Sequence, residues 1–320
     1  MYLGIEIGGT KLQLGVGPGD GVLAGLWREK VDVAAGPEGI RRQIVRAVPE
    51  LLAKSKLDRA LIQGIGIGFG GPVDDHTHTI IKSHQIEGWD NFPLEKWLSD
   101  LLGMPAVLCN DADAAGLAEA LFGAGKGFSP VFYITIGSGI GGGLVINGDI
   151  YRGCGRGAAE IGHLKIRGIE DEEYLPLEEL SSGWAISARA RESLQRDQAS
   201  RLGHFAVACN PDLTTEQVAD AASHGDVLAL SVLRKAQSHL ADAICHVIAL
   251  LCPRRIVIGG GVSLMGEKLL FEPLRKMVAE RVFKPFANCY EIVPAALGEE
   301  VVVHGALALA ARRLGLRNEL

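Results

Sequence analysis

The chain has 320 residues, a formal net charge of -6, 48% hydrophobic residues and 22% charged residues. At about 150 residues per domain this length predicts two domains, each large enough to bury a core. The hydrophobic content excludes extensive disorder, and the acidic balance excludes a broad nucleic-acid-binding surface while leaving a local anion site open.

Residues 2–16, YLGIEIGGTKLQLGV, alternate apolar positions on both sides of a Gly-Gly turn and predict a hairpin. A chain that opens this way is expected to carry no N-terminal DNA-binding module. Helical periodicity follows over Pro37–Lys54, then a buried strand over Leu61–Phe69 ending at Gly70-Gly71-Pro72. A helix over Phe92–Leu102, a strand over Ala106–Cys109 and an Ala-rich helix over Ala112–Phe122 complete an α/β pattern. Residues 130–150, PVFYITIGSGIGGGLVINGDI, again read as strand, Gly turn and strand. Ile7-Gly8-Gly9-Thr10 thus has an echo in Ile136-Gly137-Ser138-Gly139, as if two related lobes each opened on a hairpin. Helices are predicted over Thr214–Ala222 and Asp226–Leu251, a strand over Arg255–Ile258 before Gly259-Gly260-Gly261, and a final helix over Val302–Leu314 that returns to the first lobe.

Glycine is the compositional outlier, at 42 residues against an average of about 7%. It clusters beside apolar runs, which predicts turns where the backbone approaches something closely. The six cysteines, Cys109, Cys154, Cys209, Cys245, Cys252 and Cys289, form no CxxC pair and follow no secretory signal, so reduced thiols in a cytoplasmic protein are expected. The uncharged stretch Gly127–Gly148 contains Pro130 and many glycines, and predicts buried β-structure rather than a membrane span.

Gly8-Gly9-Thr10-Lys11 and Gly137-Ser138-Gly139 have the chemistry of phosphate cradles, because glycine lets N–H groups converge and the hydroxyls add donors; an ordinary hairpin turn is the competing reading for either alone. Gly66–Gly71 and Gly137–Gly142 match GxGxxG but lead into a turn and a strand, not a helix, so neither is a dinucleotide site. Gly123–Phe128 lacks the hydroxyl after its lysine and is no Walker loop. Asn110-Asp111 is open to two readings, a helix N-cap or a carboxylate placed to accept a proton from a substrate hydroxyl. Glu160 and His163, separated by Ile161-Gly162, suit the close donors and acceptors of a polyol, with a surface role as the alternative.

The segments GIEIGGTK (Gly4–Lys11), GGPVD (Gly70–Asp74), NDADAA (Asn110–Ala115), ITIGSGIGGGL (Ile134–Leu144), AEIGH (Ala159–His163), LEELSSG (Leu177–Gly183) and IGGGV (Ile258–Val262) stand in the order of one family. Through them the chain resembles the ROK group of repressors, open reading frames and sugar kinases over nearly its whole length. The resemblance implies a two-lobed α/β fold of the actin-like ATPase (ribonuclease H-like) class with an interlobe cleft. The N-terminal lobe would comprise residues 1–117 plus about 300–320, and the C-terminal lobe residues 118–299. It implies an ATP- and Mg²⁺-dependent sugar kinase, glucokinase-like at the 6-position. Its alternatives are a kinase for mannose, fructose or an N-acetylated amino sugar, and a non-catalytic sugar-binding regulator. Asp111 would be the base; Gly71, Asn110, Asp111, Glu160, His163 and Glu178 would hold the sugar; Gly8, Gly9, Thr10, Lys11, Gly137, Ser138, Gly139, Gly259, Gly260 and Gly261 would hold the nucleotide. A cytoplasmic homodimer without nucleic-acid or membrane partners is implied as well.

Three departures stand out. Glu6 replaces the usual Asp that acts on the metal, often through water, and reaches one methylene further. The loop Leu164–Leu177 lacks the three cysteines that usually join His163 in a zinc site and carries Glu170, Asp171, Glu172 and Glu173 instead, so no structural zinc is expected. His84, Gln85 and Ile86 stand before Gly88-Trp89 where Asn-Leu is usual, which implies an altered acceptor pocket.

Overall fold

The computed structural model describes residues 1–83, 86–168, 173–196, 202 and 213–315. It begins with β1 (Tyr2–Ile7), β2 (Lys11–Gly17) and β3 (Gly25–Lys30), followed by α1 (Gly36–Ser55) and β4 (Ile65–Phe69). A small hairpin, β5 (Val73–Asp74) and β6 (Thr79–Ile80), leads to α2 (Leu94–Leu102), β7 (Ala106–Asn110) and α3 (Asp111–Leu121). Then come β8 (Val131–Ile136), β9 (Ile140–Ile146), β10 (Asp149–Ile150), β11 (Lys165–Arg167), β12 (Tyr174–Pro176), α4 (Leu177–Ser181) and α5 (Gly183–Arg196). The chain continues through α6 (Thr215–Ser223), α7 (Val227–Leu251), β13 (Arg255–Gly259), α8 (Glu272–Arg281), β14 (Glu291–Pro294) and α9 (Val301–Gly315). Among the described residues no helix is long and apolar enough to cross a membrane.

The two large sheets share one topology. The first runs β3-β2-β1-β4-β7 and the second β10-β9-β8-β13-β14, so each has the order third, second, first, fourth, fifth of its own strands. The echo between the Gly8 and Gly137 turns is therefore an echo of whole sheets. The chain divides into two compact units: unit 1, Met1–Tyr133, Gly143–Ala159 and Ala296–Leu320; unit 2, Ile134–Gly142 and Glu160–Ala295.

Local sequence accounts for most boundaries. In α1 the residues Ile40, Ile44, Ala47, Val48 and Leu51 are buried, at helical spacing. Thr214 and Gln217 close a capping box at the start of α6, and the Asp226 carboxylate accepts the Ala229 N–H at 2.8 Å at the start of α7. β4 is shorter than its apolar run predicts. Asp58 caps a single 3₁₀ turn at Arg59–Leu61, accepting the Ala60 N–H at 2.9 Å, and the strand starts only at Ile65. β3 and β14 escape sequence reading because GLWREK ends in three charges and EIVP is only four residues long.

Within unit 1, α9 packs on β1, β2, β4 and α3. The sheet meets it with bare backbone: Gly4 is in register with Gly15 on one side and Gly66 on the other. A Cβ built on Gly66 would stand 1.8 Å from Ala306 O, one on Gly15 2.4 Å from Val303 Cγ1, and one on Gly4 2.9 Å from Val303 O. The contact is repeated on the helix's other side, where a Cβ at Gly305 would stand 1.8 Å from Ala114 O of α3. Much of the glycine excess thus serves helix-on-sheet packing, a use distinct from the ligand-facing turns expected of it. Gly66→Ala should lower stability by about 1–3 kcal/mol or more, because the new methyl meets backbone that has no rotamer to give; a urea unfolding midpoint equal to wild type would refute the close approach.

Candidate functional site

In unit 1 the end of β1 carries a buried acid. Glu6 is 5% exposed and in register with Gln13 of β2. Gln13 Nε2 donates to Glu6 Oε2 at 2.8 Å and to Glu299 O at 2.9 Å. Lys11 Nζ lies 3.4 Å from Glu6 Oε1 and donates to Glu299 O at 3.0 Å. Burial pushes the Glu6 carboxyl up to about 7; the Lys11 ammonium opposes this and the Asp111 charge adds to it. Lys11, expected at the nucleotide, is therefore engaged with Glu6.

The turn Gly8-Gly9-Thr10 joins β1 to β2, with Gly8 N donating to Lys11 O at 3.1 Å. Gly70 N donates to Ile7 O at 2.9 Å and sets a second glycine turn beside it. β7 then delivers Asn110 at the same end of the sheet, since Phe69 and Asn110 are in register. Asn110 takes the N-cap reading left open by the sequence. Its Oδ1 caps α3 by accepting the Ala112 N–H at 2.8 Å, while its Nδ2 donates to Gly71 O at 3.0 Å. Asp111 is the first residue of α3, its Oδ1 accepting the Ala112 N–H at 2.8 Å. A Cβ on Gly70 would lie 3.4 Å from Asp111 Oδ2, and one on Gly68 3.8 Å from Asp111 Cα. These are ordinary van der Waals separations; the close neighbour of a Cβ on Gly68 would be Val302 Cγ1 of α9, at 2.5 Å.

One feature here has no sequence signal. Arg152, in the loop after β10, donates from Nε and Nη2 to both oxygens of Asp75, each at 3.0 Å. Nη2 also donates to Val73 O at 2.9 Å, and Nη1 to the carboxylate of Asp113. Asp113 is 2% exposed and sits in the first turn of α3, two residues beyond Asp111. A forked guanidinium thus ties the β5 segment and the start of α3 together, a geometry a lysine cannot reproduce.

Unit 2 holds the second turn. Gly137 N donates to Gly139 O at 2.9 Å, and Gly183 N to Gly137 O at 2.8 Å. Glu178 Oε2 accepts the Ile140 N–H at 2.9 Å, and a Cβ on Gly139 would stand 2.3 Å from that oxygen. Beside the turn lies a cavity of about 500 Å³ lined by Gly137, Ser138, Gly183, Trp184, Ser187, Thr215, Gly261, Leu264 and Met265, among others. Trp184 and Leu264 offer apolar surface, being 49% and 86% exposed. Thr215 Oγ1 donates to Gly183 O at 2.7 Å and lies 2.9 Å from Ser187 Oγ. Such a cavity, apolar on one side and rich in N–H and O–H groups on the other, suits a base joined to phosphates.

Of the expected nucleotide residues in unit 2, Gly137, Ser138 and Gly261 line this cavity, whereas Gly139, Gly259 and Gly260 do not. Gly139 packs on Glu178, Gly259 is buried at the end of β13, and Gly260, at φ +85°, lies where a Cβ would be 2.5 Å from Ile136 O. Trp184, Ser187 and Thr215 were missed; an exposed tryptophan opening a helix in SSGWAIS was their one signal. Glu160 and His163 are exposed on a single 3₁₀ turn, held there because a Cβ on Gly162 would lie 2.0 Å from Ile140 O. His84, Gln85, Glu170, Asp171 and Glu172 lie outside the described residues.

Comparison with known proteins matches residues 2–313 to the model of the ROK family. A glucokinase of Thermotoga maritima is 31% identical over 98% of this chain and 98% of its own length. A glucokinase of Halalkalibacterium halodurans is 32% identical over 95% of this chain and 93% of its own. Among solved structures, the ROK family glucokinase from Streptomyces griseus in complex with glucose and AMPPNP superposes with a TM-score of 0.81 at 29% identity, covering 97% of this chain and 99% of that one.

Two outcomes follow from the unit 1 geometry. Arg152→Ala should cost about 3–5 kcal/mol by leaving Asp113 buried without its guanidinium, and Arg152→Lys should recover only part; equal denaturant midpoints for all three proteins would refute the tie. For Glu6, the folded state holds the proton more tightly than the unfolded chain, so it binds more protons between the ordinary carboxylate range and pH 7. Stability should therefore fall across that window as pH rises, by up to roughly 3 kcal/mol. Glu6→Gln should remove the slope; a slope unchanged in the variant would show that Glu6 titrates normally.

Proposed function

The chain belongs to the ROK family, and from that premise we propose that it is an ATP-dependent, glucokinase-like sugar kinase that phosphorylates a hexose at its primary 6-hydroxyl. The observation that carries this reading is the placement of Asp111 at the head of α3, beside the bare Gly70 backbone and next to Asn110, whose amide is committed to Gly71 O. A carboxylate so fixed has little freedom to lose when it takes the proton of a sugar hydroxyl. Phosphoryl transfer asks the protein mainly for position and charge compensation, and the residues divide along those lines.

Asp111 accepts the hydroxyl proton. Family membership is the basis for assigning the sugar to Asn110 and Gly71 of unit 1 and, separately, to Glu160, His163 and Glu178 of unit 2, Glu178 being oriented through its bond to the Ile140 N–H. The base of the nucleotide occupies the unit 2 cavity against Trp184, and the turn Gly137–Gly139 presents the Ser138 and Gly139 N–H groups to its phosphates. Burial and the neighbouring Asp111 charge both disfavour ionised Glu6, and a hard divalent cation would offset both, so Glu6 suits Mg²⁺ held directly or through water. The ion would supply charge compensation at the transferring phosphate. Gln13 and Lys11 orient the Glu6 carboxylate for this, Gln13 Nε2 donating to it across the strand pair. Family membership is also the basis for the cytoplasmic homodimer in this proposal.

A sugar-binding regulator without turnover is the competing reading, favoured by Glu6 in place of Asp. A coupled ADP-release assay with Mg²⁺ across a panel of hexoses and N-acetylated amino sugars separates the two. Sugar-dependent turnover, fastest with glucose and lowered about a hundredfold or more in Asp111→Asn, is expected. Absence of turnover on every sugar would overturn the kinase, and full activity in Asp111→Asn would remove Asp111 as the base.

A further inference from the structure

At the end of β13 opposite to Gly259, unit 2 sets two thiols against each other. Cys252 ends α7 in a left-handed conformation, φ 41° and ψ 55°, with its N–H donating to Ile248 O at 2.9 Å. Cys289 ends a turn just before β14, with its N–H donating to Phe286 O at 3.0 Å. β13 and β14 pair in parallel from Arg255 and Glu291 onward. Their entry is fixed by Glu291 N donating to Arg254 O at 3.2 Å and by an Arg255–Glu291 ion pair at 2.8 Å. Carried back from that register, Cys289 falls opposite Pro253, and Cys252 is its diagonal neighbour. The Cys252 and Cys289 thiols are in side-chain hydrogen-bond contact. Both cysteines are free and partly exposed, and the parallel pairing of the strands that follow them brings their chain segments side by side.

We infer that Cys252 and Cys289 form a redox modification site, closing a reversible intrachain disulfide when the protein meets a peroxide. One thiol, deprotonated, attacks a peroxide oxygen; the O–O bond breaks, a sulfenic acid forms and one water leaves with the released proton. The second sulfur attacks the sulfenic sulfur, the S–S bond forms, and the hydroxyl leaves as a second water with the second thiol's proton. Two thiols are oxidised and one hydrogen peroxide is reduced to two waters. The bond joins the end of α7 to the start of β14, the edge strand of its sheet, and so pins that edge where β13 begins. Burial and the adjoining Cys289 thiol hold the Cys252 thiol above its usual range, with Arg254 opposing. Oxidation is accordingly slow at neutral pH and rises with the thiolate fraction, about tenfold per pH unit below the thiol pKa.

The test is native-state treatment of the full chain with hydrogen peroxide, followed by alkylation and peptide mapping. Expected are a mass loss of two hydrogen atoms, a Cys252–Cys289 linked peptide, its reversal by dithiothreitol, and faster formation at higher pH. Cys252→Ser and Cys289→Ser should each abolish the linked peptide, while Cys245→Ser keeps it. Sulfinic acids on separate cysteines with no linked peptide, or a bond to any other cysteine, would overturn the assignment.

Discussion

The last helix lies against the first sheet at backbone distance, and the candidate chemistry of unit 1 depends on that contact. A row of glycines, Gly15, Gly4 and Gly66, runs straight across β2, β1 and β4, and α9 rests on it with carbonyl oxygens over Gly4 and Gly66 and the Val303 side chain over Gly15. Close approach of this kind buries a large apolar helix, VVVHGALALAA, without spending side-chain volume. It also fixes α3, because Gly305 meets Ala114 backbone to backbone. The helix that carries Asp111 is thus held from behind by packing, and from the front by Asn110 on Gly71 and by Arg152 on Asp113.

Electrostatics at this end of the unit are arranged around two acids of different character. Glu6 is buried and resists ionisation, steadied by Gln13 and Lys11. Asp111 stands at the N-terminus of α3. Glu6 thus holds its proton up to about pH 7 in the electrostatic reach of a carboxylate fixed at the head of a helix. Arg152 bridges the neighbouring acids Asp75 and Asp113.

The sequence is most readable where local chemistry decides the structure. The hairpins around Gly8 and Gly137, the caps at Asn110 and Asp226, and the helices over Pro37–Lys54 and Ala112–Phe122 come from patterns a few residues long. The motif order also points to the ROK family before any coordinates. Less readable is whatever depends on register or long-range pairing. Gly4, Gly15 and Gly66 are visible as glycines, but only strand pairing aligns them under α9. Arg152 reaches Asp75 and Asp113 across 77 and 39 positions of sequence, and nothing near it announces a partner. The cavity by Trp184 gathers α5, α6 and the turn after β13, three segments whose meeting no short motif records. Glu178 was read as a sugar ligand alone, and its bond to the Ile140 N–H adds a second task of supporting the glycine turn.

The central claim is that Asp111 is placed for chemistry rather than for binding alone. Isothermal titration calorimetry of glucose into the wild-type protein and Asp111→Asn addresses it directly, because asparagine keeps the shape and loses the base. The account predicts that the variant binds the sugar within about tenfold of the wild-type affinity, the cost of roughly one neutral hydrogen bond. Complete loss of sugar binding in the variant, with its fold intact by circular dichroism, would contradict it and make Asp111 a binding residue alone.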